Sequence, residues 1–473
     1  MRQRPESYED RLQRVVLQPL SSTGNGYRLL VFVLGALVAW GAYAFVVQYH
    51  NGLAATGMRD VVSWGLYLVN FVFFIGISHA GTLISAILRV SDAGWRTPIT
   101  RMAEIITVVA ISIGALCPII DLGRPERVWH IVTWGRFQSP LLWDIVSITS
   151  YLTGSLIYLY LPMVPDFAIM RDKLAQGTSS LKHKLYTFLA LGWRNTPEQR
   201  HRLEKGIGIM AVTIIPIAVS VHTVVSFVFS MILRPGWDST AFGIYFVIGA
   251  IFSGIASLII VMVIFRKVFH FEEYLTERHF RNLGKLLLVA LLFYVYLTLC
   301  EYLTTGYKLR IEEKSLIGAL MTGPDAIWFW FFVIGGLVIP ALLIIWRRGS
   351  LINRLLIAAI LVNVSMWIKR FIIIVPSLQV PLMPYEFGAY TPTWVEWSIT
   401  LASVAGFVLI FALFAKAVPL ISMWEVAEAH DEQERESERL TEQMAPRPSG
   451  VGEFFARVGR RSMSSGYREE GEQ

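Results

Sequence analysis

The sequence DLGRPERVWHIVTWGRFQSPLLWD, from Asp121 to Asp144, joins two strongly apolar segments. The segment before it ends in ALCPII, and the segment after it runs through LLWDIVSITSYLTGSLIYLYL. A carboxylate stands at each junction, and three arginines lie between them: Arg124, Arg127 and Arg136. The connection is either a solvated turn between membrane helices or a site at the membrane edge. Such a site would bring a charged or proton-releasing ligand against two acids and an arginine.

The composition indicates an all-α polytopic membrane protein. Of the 473 residues, 54% are hydrophobic and only 16% are charged, whereas a soluble chain carries about 25% charged residues. Apolar runs recur that are long enough to cross about 30 Å of hydrocarbon. The net charge of +7 fits the excess of Lys and Arg on cytoplasmic loops, so it gives no reason to expect a nucleic-acid partner. Two cysteines, Cys117 and Cys300, are too few for an iron–sulfur cluster, which needs about four thiolates.

Hydropathy predicts ten transmembrane spans, with both termini on one side of the membrane. We expect spans 2–5 and 6–9 to form two four-helix bundles, with spans 1 and 10 at the periphery. The expected domains are a cytoplasmic N-terminal segment (1–26), a ten-helix membrane domain (27–423) and a charged cytoplasmic tail (424–473). A cytoplasmic loop at 164–205 is expected to hold a short surface helix in WRNTPEQRHRLEKG. The predicted spans are Tyr27–Gln48, Val61–Leu88, Met102–Ile120, Leu141–Met163, Gly206–Leu233, Phe242–Val268, Lys285–Thr305, Ala326–Trp346, Leu351–Ile373 and Trp394–Met423.

The distribution of basic residues predicts the orientation. If the N-terminus is cytoplasmic, 32 of the 42 Lys and Arg residues lie on cytoplasmic segments and helix ends, and 10 lie on the other side. Cytoplasmic loops of membrane proteins carry the excess of basic residues. We therefore expect both termini in the cytoplasm, the chain in a bacterial inner membrane, and the connection between Asp121 and Asp144 on the periplasmic side.

Ionisable and amide groups inside the spans are the candidate functional residues, because a charge costs about 2.5–3.5 kcal/mol to insert into a membrane. Those predicted near the periplasmic surface are Asp121, Asp144, Glu301, Lys369 and Arg370. Those predicted deeper, or nearer the cytoplasm, are Asn70, His79, Glu104 and His222. Acids and bases of four helices fall at one depth, which predicts a shared pocket.

Each of these residues also has a structural interpretation. Arg370 is long enough to reach the membrane interface. Asp144 could cap the start of its helix, and Glu104, in the first predicted turn of span 3, could be a surface carboxylate. His79 and His222 could be satisfied histidines of a bundle interior, or the two ligands of a single haem.

Two motifs resemble those of a known family. LGRP at the end of span 3 and SPLLWD at the start of span 4 resemble the NrfD/PsrC family of quinone-reactive membrane subunits. RDKLAQG, LGWRNTPEQRHRLEK and MWIKRFIIIVPSLQVPLMPYEFGAYTPTWVEW resemble its ten-helix branch in alternative complex III, ActC in particular. The resemblance covers about residues 60–420. One departure is Asp121, which stands where that branch commonly has a histidine before LGRP.

The resemblance implies a quinol oxidoreductase subunit that is active only within a multisubunit complex. Menaquinol or another quinol would bind near the periplasmic surface as the substrate, with no metal or haem held by this chain. Electrons would pass to an iron–sulfur subunit docked there, and multihaem cytochrome c subunits and a second NrfD-like membrane subunit would complete the complex. We expect catalysis by Asp144 and Asp121, quinol binding by Asp121, Arg124, Asp144, Glu301 and Arg370, and a proton path through His79, Glu104, His222 and Glu301.

Other functions stay open at this point. The chain could anchor a molybdoenzyme, as polysulfide-reductase-like subunits do. It could also be a structural or proton-conducting subunit without quinol chemistry. A secondary transporter would have helices broken by Gly or Pro at mid-membrane, for which Pro216 in span 5 and Pro340 in span 8 are the candidates.

Overall fold

The computed structural model describes residues 7–21, 23–173, 180–346, 348–381, 383 and 386–444. All regular secondary structure in these ranges is helical, which confirms the all-α prediction. The α-helices are α1 (Tyr8–Ser21), α2 (Asn25–Asn51), α3 (Leu66–Val90), α4 (Thr97–Asp121), α5 (His130–Thr133), α6 (Pro140–Tyr160), α7 (Val164–Lys173), α8 (Ser180–Leu189), α9 (Pro197–Ser230), α10 (Phe242–Val268), α11 (Glu277–Lys308), α12 (Ile311–Met321), α13 (Ala326–Phe331), α14 (Ile339–Ile345), α15 (Leu351–Gln379), α16 (Trp394–Ala417) and α17 (Met423–Met444).

Ten helical stretches in the described ranges are long and apolar enough to cross a membrane, which confirms the predicted number of spans. They are Asn25–Ala55, Leu66–Val90, Thr97–Asp121, Pro140–Lys173, Pro197–Ser230, Phe242–Val268, Glu277–Lys308, Ala326–Ile345, Leu351–Gln379 and Trp394–Ala417. An even number of spans returns the chain to the side from which it started. The two ends of the membrane region therefore lie at one membrane surface.

The fifth span starts earlier than predicted. α9 runs unbroken from Pro197 to Ser230, and Thr196 caps it because its side-chain oxygen accepts a hydrogen bond from the backbone N–H of Gln199 at 3.3 Å. Pro197 occupies the first helical position, where a missing N–H costs little. WRNTPEQRHRLEKG thus leads directly into α9, and the prediction of a separate surface helix is wrong.

The spans pack into two four-helix bundles. α3, α4, α6 and α9 form the first bundle, and α10, α11, α15 and the span made of α13 and α14 form the second. α2 and α16 pair with each other beside the first bundle, which agrees with the predicted architecture. The bundles meet where α10 and α15 pack against α3 and α9. Three interiors result: one within each bundle and one at the seam between them.

Neither candidate proline divides its span into two half-helices. α9 passes through Pro216 without a break. In the eighth span, Phe332–Val338 form a π-helical segment between α13 and α14. A Cβ on Gly336 would lie 2.5 Å from the Cβ of Ser365, so this widened turn brings the backbone directly against α15. The unwound segments typical of transporter sites do not occur in the spans as described.

A buried ion pair fastens one end of the first bundle. Asp166, in the predicted cytoplasmic loop, lies instead in α7 and is 0% exposed. Its carboxylate accepts a hydrogen bond from the guanidinium of Arg101 on α4. Arg101 also donates to the carbonyl of Pro162 at 2.8 Å and to the hydroxyl of Ser422 at 3.1 Å. One arginine therefore joins the start of α4 to α7 and to the chain after α16.

The chain divides after Trp424 into two compact units. The part of the second unit that the structure describes is the remainder of α17, a strongly charged helix. Residues 445–473 of the predicted tail lie outside the described residues.

Candidate functional site

A cavity of about 500 Å³ lies at the membrane surface that carries the connection between α4 and α6. α3, α4, α6 and α9 form its walls. We call it the two-acid cavity, because Asp121 and Asp144 both line it. Two other lining residues, Leu122 and Leu141, are 43% and 55% exposed, so the cavity opens to the outside between α4 and α6. Its volume is typical of a pocket for a small organic ligand.

The two carboxyl groups stand out in this lining. Asp121 is the last residue of α4, and Asp144 lies in the second turn of α6. The Oδ1 atom of each is buried and has no hydrogen-bond partner in the part of the chain that the structure describes. Buried polar atoms are nearly always hydrogen-bonded. Two unpartnered carboxyl oxygens in one apolar cavity therefore point to a ligand that carries hydroxyl or other donor groups.

The local sequence sets the position of Asp144. Ser139 occupies the N-cap position of α6 and Pro140 the first helical position. Asp144 follows one turn later, inside the helix, where its side chain cannot reach the first free N–H groups as a cap does. The capping interpretation is therefore wrong, and Asp144 is free to face the cavity.

Side-chain hydrogen bonds hold the end of α4 that carries Asp121. Gln48 on α2 donates through Nε2 to the carbonyl oxygen of Ile120 at 2.8 Å. Tyr67 on α3 donates in turn to Oε1 of Gln48 at 2.5 Å. This chain of bonds ties three helices together beside the cavity, so the Asp121 carboxyl group has a fixed position.

The start of α3 is held from α16. The hydroxyl of Tyr390 accepts a hydrogen bond from the N–H of Leu66 at 2.9 Å and donates to the carboxylate of Glu396 at 2.5 Å. Burial raises the pKa of the Tyr390 phenol well above its ordinary value, so the phenol stays protonated and can donate. A Cβ on Gly65 would lie 2.2 Å from that hydroxyl, so the close approach requires glycine.

Aromatic rings form part of the cavity wall. Trp64, Phe71 and Phe229 line it. Trp64 packs edge-on against Phe229, with ring centroids 6.1 Å apart, and stacks on Trp237 at 6.0 Å. Such surfaces suit a flat ring, because aromatic groups prefer offset-stacked or edge-to-face contacts. Sequence reasoning missed all three lining residues. Trp64, an aromatic residue next to the start of a span, had a recognisable signal, whereas Phe229 in an apolar helix had none.

The connection between α4 and α6 has two faces. Val128 and Ile131 line the cavity. Trp129, Trp134 and Phe137 are on the outside, with exposed fractions of 71%, 80% and 69%, and we call these three residues the outer aromatic patch. The connection therefore both covers the cavity and presents a large apolar surface to its surroundings.

The arginines of this connection do not accompany the acids. Arg124, Arg127 and Arg136 are exposed, and no ion pair within the described ranges includes them. None of them lines the two-acid cavity. The prediction of an arginine beside the two carboxylates, with Arg124 as a ligand-binding residue, is therefore not supported by the geometry.

The profile of the polysulphide reductase NrfD family matches residues 54–381 of this chain. The match includes every span from the second to the ninth, both bundles and the whole lining of the cavity. The chain belongs to the NrfD family.

Three other proteins are similar to this NrfD-family chain over most of their length. A membrane-complex relative from Mesobacillus selenatarsenatis, named as a subunit of selenate reductase, is 26% identical, over 85% of this chain and 97% of its own. The Hdr-like menaquinol oxidoreductase integral membrane subunit of Archaeoglobus fulgidus is 25% identical, over 86% and 96%. The integral membrane subunit of menaquinone reductase of Nitratidesulfovibrio vulgaris is 25% identical, over 80% and 88%. The predicted closeness to ActC of alternative complex III stays a prediction.

Two predicted site residues of the NrfD-family chain lie in the second bundle. Glu301 of α11 and Lys369 of α15 line a small pocket of about 40 Å³ together with Tyr245 and Tyr302. Lys369 Nζ donates to the hydroxyl of Tyr302 at 2.8 Å and lies 4.7 Å from the centre of that ring. The structure thus separates Glu301 from the two-acid cavity, and the shared pocket expected from depth alone is in fact two sites.

Arg370 lies at the seam between the bundles. It is 1% exposed, so the interpretation as a side chain that reaches the interface is wrong. Its guanidinium lies 4.8 Å from the centre of the Phe246 ring, and a Cβ on Gly249 would be 3.1 Å from Nη2. Nη1 and Nη2 have no hydrogen-bond partner among the described residues. Arg370 does not line the two-acid cavity.

His79 and His222 touch each other inside the first bundle. Their ring centroids are 3.8 Å apart, and both residues are fully buried. His79 has a carbonyl oxygen at each ring nitrogen, that of Ile75 at 2.8 Å from Nδ1 and that of Ala218 at 2.5 Å from Nε2. Two rings in direct contact do not face each other across a haem, so the arrangement does not offer bis-histidine ligation. Neither nitrogen of His222 has a partner in the described part of the chain.

Glu104 is buried rather than a surface group. α4 begins at Thr97, five residues before the predicted start, so Glu104 lies two turns inside the helix and is 3% exposed. Ser85 donates to its Oε1 at 2.7 Å, and the hydroxyl of Tyr158 lies 3.3 Å from that of Ser85. The surface-carboxylate interpretation is therefore wrong.

Polar groups continue from Glu104 toward His79 through the first bundle. Thr107 donates to the carbonyl of Ser78 at 2.6 Å, and Tyr151 donates to the same carbonyl at 2.9 Å. Polar side chains inside membrane bundles are costly unless they are hydrogen-bonded. The first bundle therefore contains a line of hydrogen-bonding groups, of which the sequence revealed only the ionisable members.

Proposed function

We propose that this chain is the quinol-oxidising membrane subunit of a respiratory or photosynthetic complex, and that the two-acid cavity is its quinol site. The observation that carries the proposal is the pair of buried, unpartnered Oδ1 atoms of Asp121 and Asp144 in one otherwise apolar cavity. A quinol matches this site because it has a flat apolar ring and two hydroxyl groups that donate hydrogen bonds. The names of two relatives, a menaquinol oxidoreductase subunit and a menaquinone reductase subunit, favour menaquinol as the substrate.

In the proposed reaction, two O–H bonds of the quinol break, and two protons and two electrons leave a quinone. Asp144 accepts a hydrogen bond from one hydroxyl and takes its proton, and Asp121 does the same at the other. A positioned base of this kind contributes about 10²–10⁴-fold to a rate. Each carboxyl group then releases its proton at the nearby membrane surface. The electrons pass to an iron–sulfur subunit on the same side.

A second assignment has support from the relatives. The Mesobacillus selenatarsenatis protein is named as part of a selenate reductase, and in such a complex a homologous chain would anchor a molybdoenzyme. The proteins that co-purify separate the two assignments. Multihaem cytochrome c subunits and a second NrfD-like chain would indicate alternative complex III, and a molybdopterin subunit would indicate a reductase. A chain without quinol chemistry leaves the two unpartnered carboxyl oxygens unexplained.

Labelling with a photoreactive quinone tests the site directly. The analogue should mark peptides of α4 and α6 that line the two-acid cavity, and excess menaquinone should protect them. Labelling confined to the second bundle, or unaffected by menaquinone, would contradict the proposed site.

We also propose that the outer aromatic patch docks the iron–sulfur subunit. Only 10 of the 42 Lys and Arg residues lie on this side of the membrane, yet three of them, Arg124, Arg127 and Arg136, belong to this connection. Exposed Trp and Arg are enriched among the residues that dominate protein interfaces. Val128 and Ile131 of the same connection line the cavity, so a docked partner would lie next to the bound quinol.

Replacing Trp134, which is 80% exposed, by alanine should release the iron–sulfur subunit from the complex. A hot-spot residue contributes at least about 2 kcal/mol, so the dissociation constant should rise roughly 30-fold. The measurement is the amount of iron–sulfur subunit retained on the purified membrane chain as salt is increased. Trp394→Ala is the matched control, because Trp394 is 50% exposed at the same membrane surface but lies outside the patch. Equal retention in both variants would show that the patch faces lipid or solvent.

The buried polar groups of the first bundle form our proposed proton path. His79, His222 and Glu104 connect the bundle interior to the membrane surface that carries the N-terminus, and Glu301 serves the second bundle. The contacts between the histidine rings and the hydroxyl groups around Glu104 support this path.

Glu104→Gln should lower proton translocation while quinol oxidation continues, because glutamine keeps the hydrogen bond from Ser85 but cannot take up a proton. The measurement is the number of protons moved per quinol in reconstituted vesicles. Glu198→Gln is the control, since Glu198 is an exposed carboxylate at the same end of the first bundle. Unchanged translocation in Glu104→Gln would remove this residue from the path.

A cysteine at Gln138, an exposed position of the outer connection, should react with a membrane-impermeant thiol reagent in intact cells. The proposed orientation places this connection outside the cytoplasm, because the opposite surface carries the excess of basic residues. Cys300→Ser in the same background removes the one native thiol that is not fully buried. Labelling only after the inner membrane is opened would reverse the orientation.

A further inference from the structure

A second large cavity lies at the membrane surface opposite the two-acid cavity. It has a volume of about 590 Å³ and is bounded by α1, α2, α10 and α16. Its walls are mostly apolar, and Phe265, Phe407 and Phe411 are among them. None of the residues assigned to the quinol site or the proton path lines it. We call it the outer-helix slot, because two of its walls are the peripheral helices α2 and α16.

The polarity of the slot changes along its length. The deepest lining residues are Ile260 on α10 and Phe407 on α16, whereas His270 and Lys416 line it at the ends of those helices. Phe407 and Lys416 are nine residues apart, which corresponds to about 14 Å of helix. That length is close to half of the roughly 30 Å hydrocarbon core. The slot therefore reaches from the membrane surface to about the depth of one lipid leaflet.

The amphipathic helix α1 covers the surface end of the slot. Leu12 and Val16 of α1 are buried, at 0% and 2% exposed, while Gln18 and Pro19 line the slot. Lys416 Nζ donates to the carbonyl of Pro19 at 2.5 Å. The surface end thus combines a charged side chain with polar backbone, and the inner end is hydrocarbon-like.

Basic residues flank this surface end. Lys267 and Arg28 are exposed and adjoin the lining residues Val268 and Tyr27 in the chain. Lys416 Nζ also lies 5.0 Å from the centre of the Tyr27 ring. A ligand with an apolar tail of one-leaflet length and a negatively charged head matches all of these features, since basic groups at a membrane surface attract anionic lipid head groups.

We propose that the outer-helix slot binds one anionic glycerophospholipid. An acyl chain would lie along α10 and α16, with the head group beside Lys416 and Lys267. The bound lipid would join α1, α2 and α16 to the second bundle through α10. This inference is independent of the proposed quinol chemistry, which takes place at the other membrane surface.

The test uses the intact complex, reconstituted into nanodiscs with equal amounts of phosphatidylglycerol and phosphatidylcholine. After gentle extraction, native mass spectrometry should find one retained lipid per chain, with phosphatidylglycerol favoured roughly fivefold or more. Ala412→Trp fills the slot from α16 and should remove the retained lipid. Leu413→Trp is the matched control, because Leu413 is 48% exposed on the same turn but does not line the slot. Lys416→Gln should keep a lipid but lose the preference for the anionic head group.

Several results would overturn the inference. One is equal retention of the two lipids by the unaltered complex, and another is retention that survives Ala412→Trp. Recovery of a quinone or a partner helix in the slot, instead of a phospholipid, would also contradict it. Quinol-driven turnover should stay unchanged in Ala412→Trp, so a failure of the lipid inference and a failure of the quinol proposal are distinguishable.

Discussion

Asp144→Asn should abolish quinol-driven turnover while the complex still assembles. Asparagine keeps the shape of the side chain but cannot take a proton from the quinol hydroxyl, and loss of a positioned base typically costs about 10²–10⁴-fold in rate. Assembly should survive because Oδ1 of Asp144 has no hydrogen-bond partner among the described residues. The measurement is steady-state turnover with a menaquinol analogue, together with reduction of the iron–sulfur and haem centres by a small-molecule donor that bypasses the membrane site.

Asp60→Asn is the matched control for this experiment. Asp60 is an exposed carboxylate at the same membrane surface and does not line the two-acid cavity, so its replacement should leave turnover unchanged. Asp121→Asn should resemble Asp144→Asn, and the double variant should lose little more, because residues that act as a unit are strongly non-additive. Near-normal quinol turnover in an assembled Asp144→Asn complex would reject the catalytic assignment.

The membrane architecture could be predicted because it depends on few properties of the sequence. A span needs about twenty apolar residues, and the loop lengths decide which spans are neighbours. The position of Asp144 was also accessible: an acid one turn past Pro140 is inside its helix, where a cap is excluded. The start of α9 was not, because charged residues in its first turns project beyond the apolar region and resemble a surface helix.

Depth in the membrane was a weaker guide to the site. Predicted depth placed Glu301 and Arg370 with the two aspartates, but depth is only one coordinate, and the direction of a side chain around its helix is not set by hydropathy. The structure turns Glu301 into the second bundle and Arg370 into the seam. Asp121 and Asp144 converge because a short connection joins the ends of adjacent helices, α4 and α6. Chain connectivity, rather than depth, was the informative signal.

Long-range pairs were out of reach from one sequence. Arg101 and Asp166 are 65 positions apart, and both were assigned to a solvated cytoplasmic surface where charged residues are expected. Nothing in the composition around Asp166 marks it as buried. Its pairing depends on how α7 folds back against α4, which is a property of tertiary packing.

Asp166→Leu should therefore destabilise the protein strongly. It removes the negative partner of a guanidinium whose side chain is only 2% exposed, and breaking a buried ion pair typically costs about 3–5 kcal/mol in the free energy of unfolding. The remaining bonds of Arg101 go to neutral acceptors on Pro162 and Ser422, which do not compensate its charge. The measurement is the denaturant midpoint of the detergent-solubilised chain, followed by tryptophan fluorescence.

Two further variants determine whether the buried charge is the cause. Asp172→Leu alters an acid on the same helix whose pair with Arg171 is largely exposed, with the Asp172 side chain 59% accessible, and an exposed pair contributes only about 0–1 kcal/mol. The double variant Arg101→Met/Asp166→Leu removes both buried charges, and it should recover most of the lost stability because apolar replacement of a buried pair is often nearly neutral. If the double variant is as unstable as Asp166→Leu alone, lost packing around α7 is the cause, and the ion pair does not hold this end of the first bundle together.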